Sequence, residues 1–397
     1  MARARKALPA ELDIAYLISA GVLASVCPRA LIDEVLAEKG KASQRQRLLP
    51  APAVVYYVMA LALWREAPLE EVLRVVCEGL HWLGGEPVAG VQASKSAISQ
   101  ARTRLGPQVM HALAERVLRP VAEPAAPGAW YRRWRLMALD GSCMDVADEK
   151  DNAQYFGRPG AARGQSAFPQ ARVLALVECG THVVTAAAIA PYAQGEQTLA
   201  AQLLPAKLQP DMLLMADRGF YSFALWRSAS GAGLLWRAKA NLKLPVEQTL
   251  ADGSYLSTVY ASTDRKRRDG QRVRVIEYTL KDSAAPVQPS YRLLTNILDD
   301  KEAPALELAA LYHERWEVES VFDELKTHLR GASTVLRSKR PQLVLQELWG
   351  LLLAHFAIRQ LMARAAGSRG LDPDKLSFVH ALRVIKRKMP QAAAIPP

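Results

Sequence analysis

The stretch RWRLMALD, residues 133–140, is a short apolar run that ends on an aspartate, a pattern typical of a buried strand. The same pattern recurs in DMLLMAD, residues 211–217, so two strands are each predicted to end on an aspartate, Asp140 and Asp217. A single aspartate there more often caps a helix or forms a turn. In open sheets, however, ligand-binding groups lie just beyond the carboxyl ends of strands. Two such aspartates in one domain therefore favour a shared site.

The segments around these two strands predict a mixed α/β domain. RVLALVECGTHVVTAAAIAP (172–191) divides at Cys179-Gly180-Thr181 into two β-rich runs, which predicts a hairpin. GEQTLAAQLLP (195–205) predicts a short helix, and LLWRAKA (234–240) predicts a further strand. Residues 242–302 are strand-like, with turns at DGSY and RKRRDGQR, and we interpret them as a β-rich insertion.

Both ends of the chain are predicted to be helical. Two apolar stretches, 51–64 and 343–363, are interpreted as buried helices because the first is too short for a membrane span and polar residues interrupt the second. The final QAAAIPP (391–397) is expected to be disordered. The predicted domains are a helical N-terminal domain (1–122), an α/β domain (130–241 and 303–342), the insertion (242–302) and a helical C-terminal segment (343–397).

The net charge of +12 over 397 residues is compatible with a polyanionic partner, because basic side chains that neutralise phosphates release counterions. A merely basic protein explains it equally well. SKSAISQARTRLG (94–106) opens on a plausible cap, Ser94, and carries Lys95, Arg102 and Arg104. This segment is interpreted either as a recognition helix that contacts DNA or as a solvated helix face.

YHERWEVESVFDELK, residues 312–326, predicts an amphipathic helix with charges on its apolar face. At 3.6 residues per turn, Tyr312, Arg315, Glu319 and Lys326 share one stripe, and Phe322 lies on it too. Ordinary surface pairs account for Glu314, Glu317, Asp323 and Glu324. They do not account for a glutamate on a face predicted to be packed, since a buried charge needs a partner or a metal.

Asp140, Asp217 and Glu319 together predict a metal site. Three crowded carboxylates repel one another unless cations offset their charge. Oxygen ligands suit Mg²⁺ or Mn²⁺. A pair of such ions can activate a water or a 3′-hydroxyl and stabilise the leaving oxygen of a phosphodiester. Arg315, Lys326 and Tyr312 are then expected to hold phosphates.

The sequence resembles the DDE transposases of the insertion element 4 type. Their signature is tyrosine, two residues, arginine, three residues, glutamate, six residues and lysine, and Tyr312, Arg315, Glu319 and Lys326 match it with the spacing intact. Asp140 in ALDGS and Asp217 in ADRGF match the two catalytic aspartates. The likeness covers most of the chain. It implies a ribonuclease-H-like catalytic domain with a β-rich insertion and a helical N-terminal domain that binds DNA ends.

The resemblance also implies an activity, cofactors and partners. The protein is expected to bind the terminal inverted repeats of its own element, cut at the ends with two Mg²⁺ ions per active site, Mn²⁺ substituting, and join the 3′-hydroxyls to target DNA. A homodimer in the synaptic complex is implied. Apart from the resemblance, four scattered cysteines without a CxxC pair favour the cytoplasm. We therefore expect a cytoplasmic, nucleoid-associated protein with no membrane partner. Arg158 or Arg163 is expected to contact the substrate. Tyr291 and Trp316 are candidates for stacking a flipped base.

Two other functions remain open at this stage. The first is a catalytically silent, element-derived repressor, against which the complete set of three acids argues, since a pure binder has no use for carboxylates that repel phosphate. The second is a related nuclease that cleaves without joining, which the shared motifs cannot separate from a transposase.

Overall fold

The computed structural model describes residues 20–43, 49–81, 93–124, 126–161, 164–279, 290–331 and 335–391. The chain forms two compact units. The helical unit comprises the residues up to Leu118, Leu325–Ala365 and the residues from Lys375 onward. The sheet unit comprises Arg119–Glu324 and Ala366–Asp374. The predicted final segment, QAAAIPP, lies outside the described residues except for its first glutamine.

Helices from both ends of the chain build the helical unit. Its helices are α1 (Ala20–Val26), α2 (Arg29–Glu38), α3 (Ala51–Leu63), α4 (Leu69–His81), α5 (Lys95–Leu105), α6 (Pro107–Val117), α12 (Pro341–Gly367) and α13 (Phe378–Gln391). The predicted N-terminal domain and C-terminal segment are therefore parts of one unit. Their backbones approach closely, since a Cβ on Gly350 of α12 would lie 2.7 Å from the Val58 carbonyl oxygen of α3.

Helix α3 is the centre of this unit. Every residue from Pro52 to Leu63 is buried, as expected for a core helix. Burial on all sides requires neighbouring helices around it, which α4, α5 and the close approach of α12 supply. Among the residues that the structure describes, no helix is both long enough and apolar enough to span a bilayer.

One mixed sheet organises the other unit. Its strands are β1 (Trp130–Tyr131), β2 (Trp134–Asp145), β5 (Gln170–Glu178), β6 (Val183–Pro191), β7 (Met212–Ala216), β8 (Gly233–Arg237), β9 (Gln248–Thr249), β10 (Tyr255–Tyr260), β11 (Gly270–Thr279) and β12 (Ser290–Thr295). The strand order is β6-β5-β2-β7-β8-β12-β11-β10-β9, and β1 pairs with β2. Strands β6, β5 and β2 are antiparallel, whereas β2, β7 and β8 are parallel. This is the ribonuclease-H-like arrangement that the resemblance implies.

Short helices and a small hairpin complete the sheet unit. They are α7 (Lys150–Phe156), the β3–β4 hairpin (Gly160–Ala161 and Gly164–Gln165), α8 (Glu196–Lys207), α9 (Phe223–Ala229), α10 (Ala305–Leu311) and α11 (Glu317–Asp323). The core lies between the sheet and α8 and α9, where Leu199 and Trp226 pack with Leu214 of β7. The predicted hairpin over residues 172–191 is confirmed as β5 and β6.

The predicted insertion extends the sheet instead of forming a layer of its own. Strand β12 pairs antiparallel with β8, and β11 and β10 follow outward in register. Fully buried Arg274 on β11 joins this extension to the helix that follows it. Its guanidinium donates to the Asp252 carboxylate and to the Ala303 carbonyl oxygen at 2.7 Å. The backbone N–H of Ala305, at the start of α10, donates to the same carboxylate at 2.8 Å.

The segment from Tyr312 to Leu329 is not one regular α-helix. Tyr312–Trp316 is a 3₁₀ helix, α11 spans Glu317–Asp323, and Glu324–Leu329 is a π-helix. Because the number of residues per turn changes twice, the stripe predicted at 3.6 residues per turn does not hold together. Tyr312 and Arg315 are buried, whereas the Glu319 side chain is 48% exposed. The prediction that Glu319 lies on the packed face is therefore wrong.

Candidate active site

Asp140 and Asp217 occupy matching positions on neighbouring parallel strands. Leu139 of β2 pairs with Ala216 of β7, and each aspartate is the next residue along the chain. Strand β7 ends at Ala216, one residue before the predicted end at Asp217. Strand β2 does not end at Asp140, because β5 continues to pair with it as far as Asp145. Asp140 thus leaves the parallel pairing while keeping its antiparallel neighbour, and it holds a more rigid position than a strand end would give.

The Asp140 carboxylate lies in a charged and poorly solvated position. Burial raises its pKa to about 6, and the nearby carboxylates of Asp217 and Glu196 add to the effect. The Gly141 N–H, which donates to Asp140 Oδ1 at 2.8 Å, and the Arg315 guanidinium act in the opposite direction. The negative charge concentrated here is the electrostatic condition under which a divalent cation binds.

Arg315 connects the first and third predicted carboxylates. One of its terminal nitrogens lies 4.0 Å from Asp140 Oδ2, and the other lies 3.7 Å from Glu319 Oε1. Its side chain is only 9% exposed, and its Nε is buried without a hydrogen bond. The guanidinium is therefore within ion-pairing distance of both carboxylates, although Glu319 itself remains open to solvent.

Tyr312 positions this helical segment against the sheet. Its hydroxyl donates to the Ala216 carbonyl oxygen at 3.2 Å, directly before Asp217. Burial raises the Tyr312 pKa to about 12, so the side chain remains a neutral hydroxyl donor. Asp217 itself accepts a hydrogen bond at Oδ1 from the Gly219 N–H, at 2.7 Å. The tyrosine expected to hold phosphate thus contacts the strand that carries the second aspartate.

Glu196 is a fourth carboxylate at the site, and the sequence reasoning did not identify it. It begins α8, and a Cβ on Gly141 would lie 2.5 Å from its carboxyl carbon. Arg172 of β5 donates to Glu196 Oε1 at 2.6 Å and fixes it there. An acid in the first turn of a helix is common because it complements the helix dipole, so its sequence signal was weak. The absence of a side chain at Gly141 is what admits it.

The donor set at this site fits a hard divalent cation. Asp140, Asp217, Glu319 and Glu196 offer oxygen ligands only, as Mg²⁺ and Mn²⁺ prefer. Across the described part of the chain, the three predicted carboxylates are not within mutual ligand distance of one another. Arg315 lies between Asp140 and Glu319, which accounts for the separation of these two.

The residues of SKSAISQARTRLG divide between surface and core. Helix α5 begins as predicted, with Ser94 Oγ accepting from the Ala97 N–H at 3.2 Å. Lys95 and Arg104 are exposed. Arg102 is buried, and its guanidinium donates to the Leu343 carbonyl oxygen at 2.8 Å and to Ser338 Oγ at 3.0 Å. The prediction that Arg102 lies on a DNA-contacting face is wrong, because hydrogen bonds inside the helical unit occupy its guanidinium.

The other predicted DNA contacts are dispersed. The Arg158 side chain is 19% exposed and pairs with Asp148, and it also donates to the Ser166 carbonyl oxygen at 3.1 Å. Arg163 lies outside the described residues. Lys326 lies in the π-helical turn and belongs to the helical unit.

The two candidate stacking residues have different surroundings. Tyr291 stacks on Tyr278 with ring centroids 5.3 Å apart, and the Arg237 guanidinium lies 4.4 Å from its ring. Trp316 is 55% exposed, and Arg315 lies 5.1 Å from its ring. Trp316 therefore offers an open aromatic face beside the candidate active site, whereas Tyr291 already has a stacking partner.

Two family models match the chain. The model described as the insertion element 4 transposase N-terminal domain matches residues 17–115, and the model described as the transposase DDE domain matches residues 134–357. The transposase InsG for insertion sequence element IS4, from Escherichia coli K12, is 29% identical over 372 residues, which cover 90% of this chain and 80% of InsG. InsZ of the same strain is 25% identical over 292 residues, which cover 68% of this chain and 94% of InsZ.

A solved structure of a piggyBac transposase synaptic complex with hairpin DNA has 10% sequence identity to the chain and a TM-score of 0.47. The alignment covers 96% of this chain and 82% of the piggyBac chain.

Proposed function

Because this chain belongs to the DDE transposases and carries the N-terminal domain of the insertion element 4 group, we propose that it moves its own element by cutting and pasting DNA. It binds the terminal inverted repeats as a homodimer, cleaves the phosphodiester at each end and joins the 3′-hydroxyls to target DNA. The observation that carries the proposal is the placement of Asp140 beside Asp217, with Glu319 reached from Asp140 through one guanidinium.

In this proposal the three carboxylates have different roles because they lie on different elements. Asp140 and Asp217 form a fixed pair, because both follow the last parallel pairing of β2 with β7. Glu319 completes the set from the helical segment, and its exposure leaves it free to move toward the pair. Asp140, Asp217 and Glu319 would hold Mg²⁺, which when bound would supply Lewis acidity to the scissile phosphate and lower the pKa of the attacking water or hydroxyl.

The basic residues are proposed to hold the DNA end. Arg315 lies beside the carboxylates of Asp140 and Glu319, and its guanidinium is proposed to contact a phosphate once metal offsets those carboxylates. Lys326 and Arg158 are proposed as further phosphate contacts. The Tyr312 hydroxyl, expected from the sequence to hold phosphate, donates to the Ala216 carbonyl oxygen, so Tyr312 is proposed to position the helical segment instead. Lys95 and Arg104, exposed on α5, are proposed to contact the terminal repeat.

The decisive experiment is an end-cleavage assay. The full chain is incubated with a duplex that carries the element's terminal repeat, with Mg²⁺ or Mn²⁺, and the products are separated on denaturing and native gels. Nicks at the terminus, joined products and a complex of two protein chains with two ends are expected. Nicks without joined products in both metals would identify a nuclease. Binding without cleavage in either metal would identify a silent binding protein.

Trp316 is proposed as the side chain that stacks a flipped base. Trp316→Ala is expected to lower cleavage of a terminus roughly tenfold, since stacking on an aromatic ring contributes about 1–3 kcal/mol per base. Tyr291→Ala is the matched aromatic control and is expected to have less effect. Fluorescence of 2-aminopurine placed at the terminus reports the unstacked base. If the 2-aminopurine fluorescence were unchanged in the Trp316 variant and lost in the Tyr291 variant, Tyr291 would be the stacking residue.

A further inference from the structure

A second cluster of metal-ligating side chains lies apart from Asp140, Asp217 and Glu319. His182 ends the turn of the β5–β6 hairpin, Glu317 begins α11, and Asp374 lies in the 3₁₀ helix Pro373–Lys375. His182 Nε2 is 3.2 Å from Glu317 Oε2 and 3.0 Å from Asp374 Oδ1. One ligand atom from each residue lies within 4.8 Å of the other two. Three segments distant in sequence thus present ligand atoms to one point.

Two of the three ligands are shielded from water, and Asp374 lies at the exposed rim of the cluster. The exposed fractions of the side chains are 9% for His182, 12% for Glu317 and 34% for Asp374. The Gly180 N–H donates to Glu317 Oε2 at 2.5 Å and fixes the orientation of that carboxylate. Glu317 was expected to form an ordinary surface pair, and its burial contradicts that interpretation. A carboxylate is buried in this way when a partner compensates its charge.

The surroundings of the cluster are acidic. One imidazole, with at most one positive charge, faces two carboxylates, and Glu314 and Asp372 add further negative charge around Glu317. A divalent cation would balance the two facing carboxylates and leave the imidazole neutral, which is the form that binds metals.

The distances agree with a small coordination sphere. Zinc lies about 2.0–2.2 Å from histidine nitrogen and carboxylate oxygen, so neighbouring ligand atoms of a tetrahedral site are roughly 3.2–3.6 Å apart. The His182 nitrogen is 3.2 Å and 3.0 Å from the two carboxylate oxygens, which is close to that spacing, and all three ligand atoms lie within 4.8 Å of one another. Imidazole combined with carboxylates suits Zn²⁺ or Mn²⁺ better than Mg²⁺, which prefers oxygen ligands and keeps several waters.

We propose that His182, Glu317 and Asp374 form a structural binding site for Zn²⁺ or Mn²⁺, separate from the candidate active site. The ion links three parts of the sheet unit: the turn between β5 and β6, the segment that ends at Asp374, and Glu317, the first residue of α11. Glu319 lies two residues further along the same helix. The bound ion therefore fixes the start of the helix that presents the third carboxylate of the proposed active site. The site is independent of the proposed function, since it uses none of the residues assigned to cleavage.

The test separates this site from the catalytic one. The full chain with Asp140→Asn, Asp217→Asn and Glu319→Gln is stripped with a chelator and titrated with Zn²⁺ or Mn²⁺ in excess Mg²⁺, by calorimetry and by metal analysis after dialysis. One equivalent of Zn²⁺ or Mn²⁺ is expected to remain bound and to raise the melting temperature. Adding His182→Gln, or separately Asp374→Asn, is expected to weaken that binding at least about tenfold. Circular dichroism checks that each variant is folded.

His380→Gln, which replaces an exposed histidine, is the matched control. This variant is expected to keep one equivalent of Zn²⁺ or Mn²⁺ bound. Retention of the metal by both the His182 and Asp374 variants, or the absence of any bound ion in the triple variant, would overturn the proposal. DNA cleavage by the unmodified protein is measured separately. Failure of the proposed metal site and failure of the proposed transposase function can therefore be distinguished.

Discussion

Glu319→Gln is expected to reduce cleavage of the terminal repeat at least about 10³-fold while leaving DNA-end binding within about twofold. The substitution keeps the size of the side chain and removes its negative charge, so the third oxygen ligand becomes a much weaker one. Metal catalysis supplies several kcal/mol of transition-state stabilisation, and each 1.36 kcal/mol corresponds to a tenfold change in rate. Single-turnover cleavage in Mg²⁺ measures the rate, and fluorescence anisotropy without divalent ions measures binding.

Asp323→Asn supplies the control for charge, since Asp323 is an exposed carboxylate on the same α-helix as Glu319. Its cleavage rate is expected to stay within about twofold of the unmodified protein. If the two variants cleaved equally well, the third metal ligand would have to be another carboxylate. Glu196 would then be the first candidate, because it already lies beside Gly141 and Asp140.

The sheet was the most predictable part of the molecule. Apolar runs that end near an aspartate, and a hairpin divided at Cys179-Gly180-Thr181, are local patterns, and strands β2, β5, β6 and β7 follow them. The pairing of Leu139 with Ala216 is sufficient to place Asp140 and Asp217 side by side. Local sequence thus predicted both the fold class and the first two carboxylates of the candidate site.

The helical segment was harder to predict, because its geometry departs from the period assumed for it. The 3₁₀ start changes the direction of Glu319 relative to Tyr312, and the π-helical end changes that of Lys326. No residue in YHERWEVESVFDELK signals either change. The roles of Glu196 and His182 could not be predicted from the sequence for a different reason. Each acquires its partners through tertiary contacts, Glu196 beside Gly141 and His182 beside Asp374, that link segments distant in sequence.

Arg102→Met is expected to lower the free energy of unfolding of the helical unit by about 3 kcal/mol or more. The methionine fills part of the space but leaves the Leu343 carbonyl oxygen and the Gln346 amide oxygen, the latter 3.3 Å from Arg102 Nε, without their donor. Each buried polar group left unsatisfied costs about 1–3 kcal/mol. Urea denaturation followed by circular dichroism measures the change.

Arg104→Met distinguishes structure from DNA contact, because Arg104 is exposed on the same helix only two residues away. Its stability is expected to change by no more than about 0.5 kcal/mol, since surface substitutions have small effects. Its binding to the terminal repeat is expected to weaken, with the salt dependence of log K reduced by about one for the lost phosphate contact. The opposite pattern, a stable Arg102 variant with weakened binding and an Arg104 variant with unchanged binding, would place Arg102 on the DNA. It would also require α5 to present a different face from the one seen here.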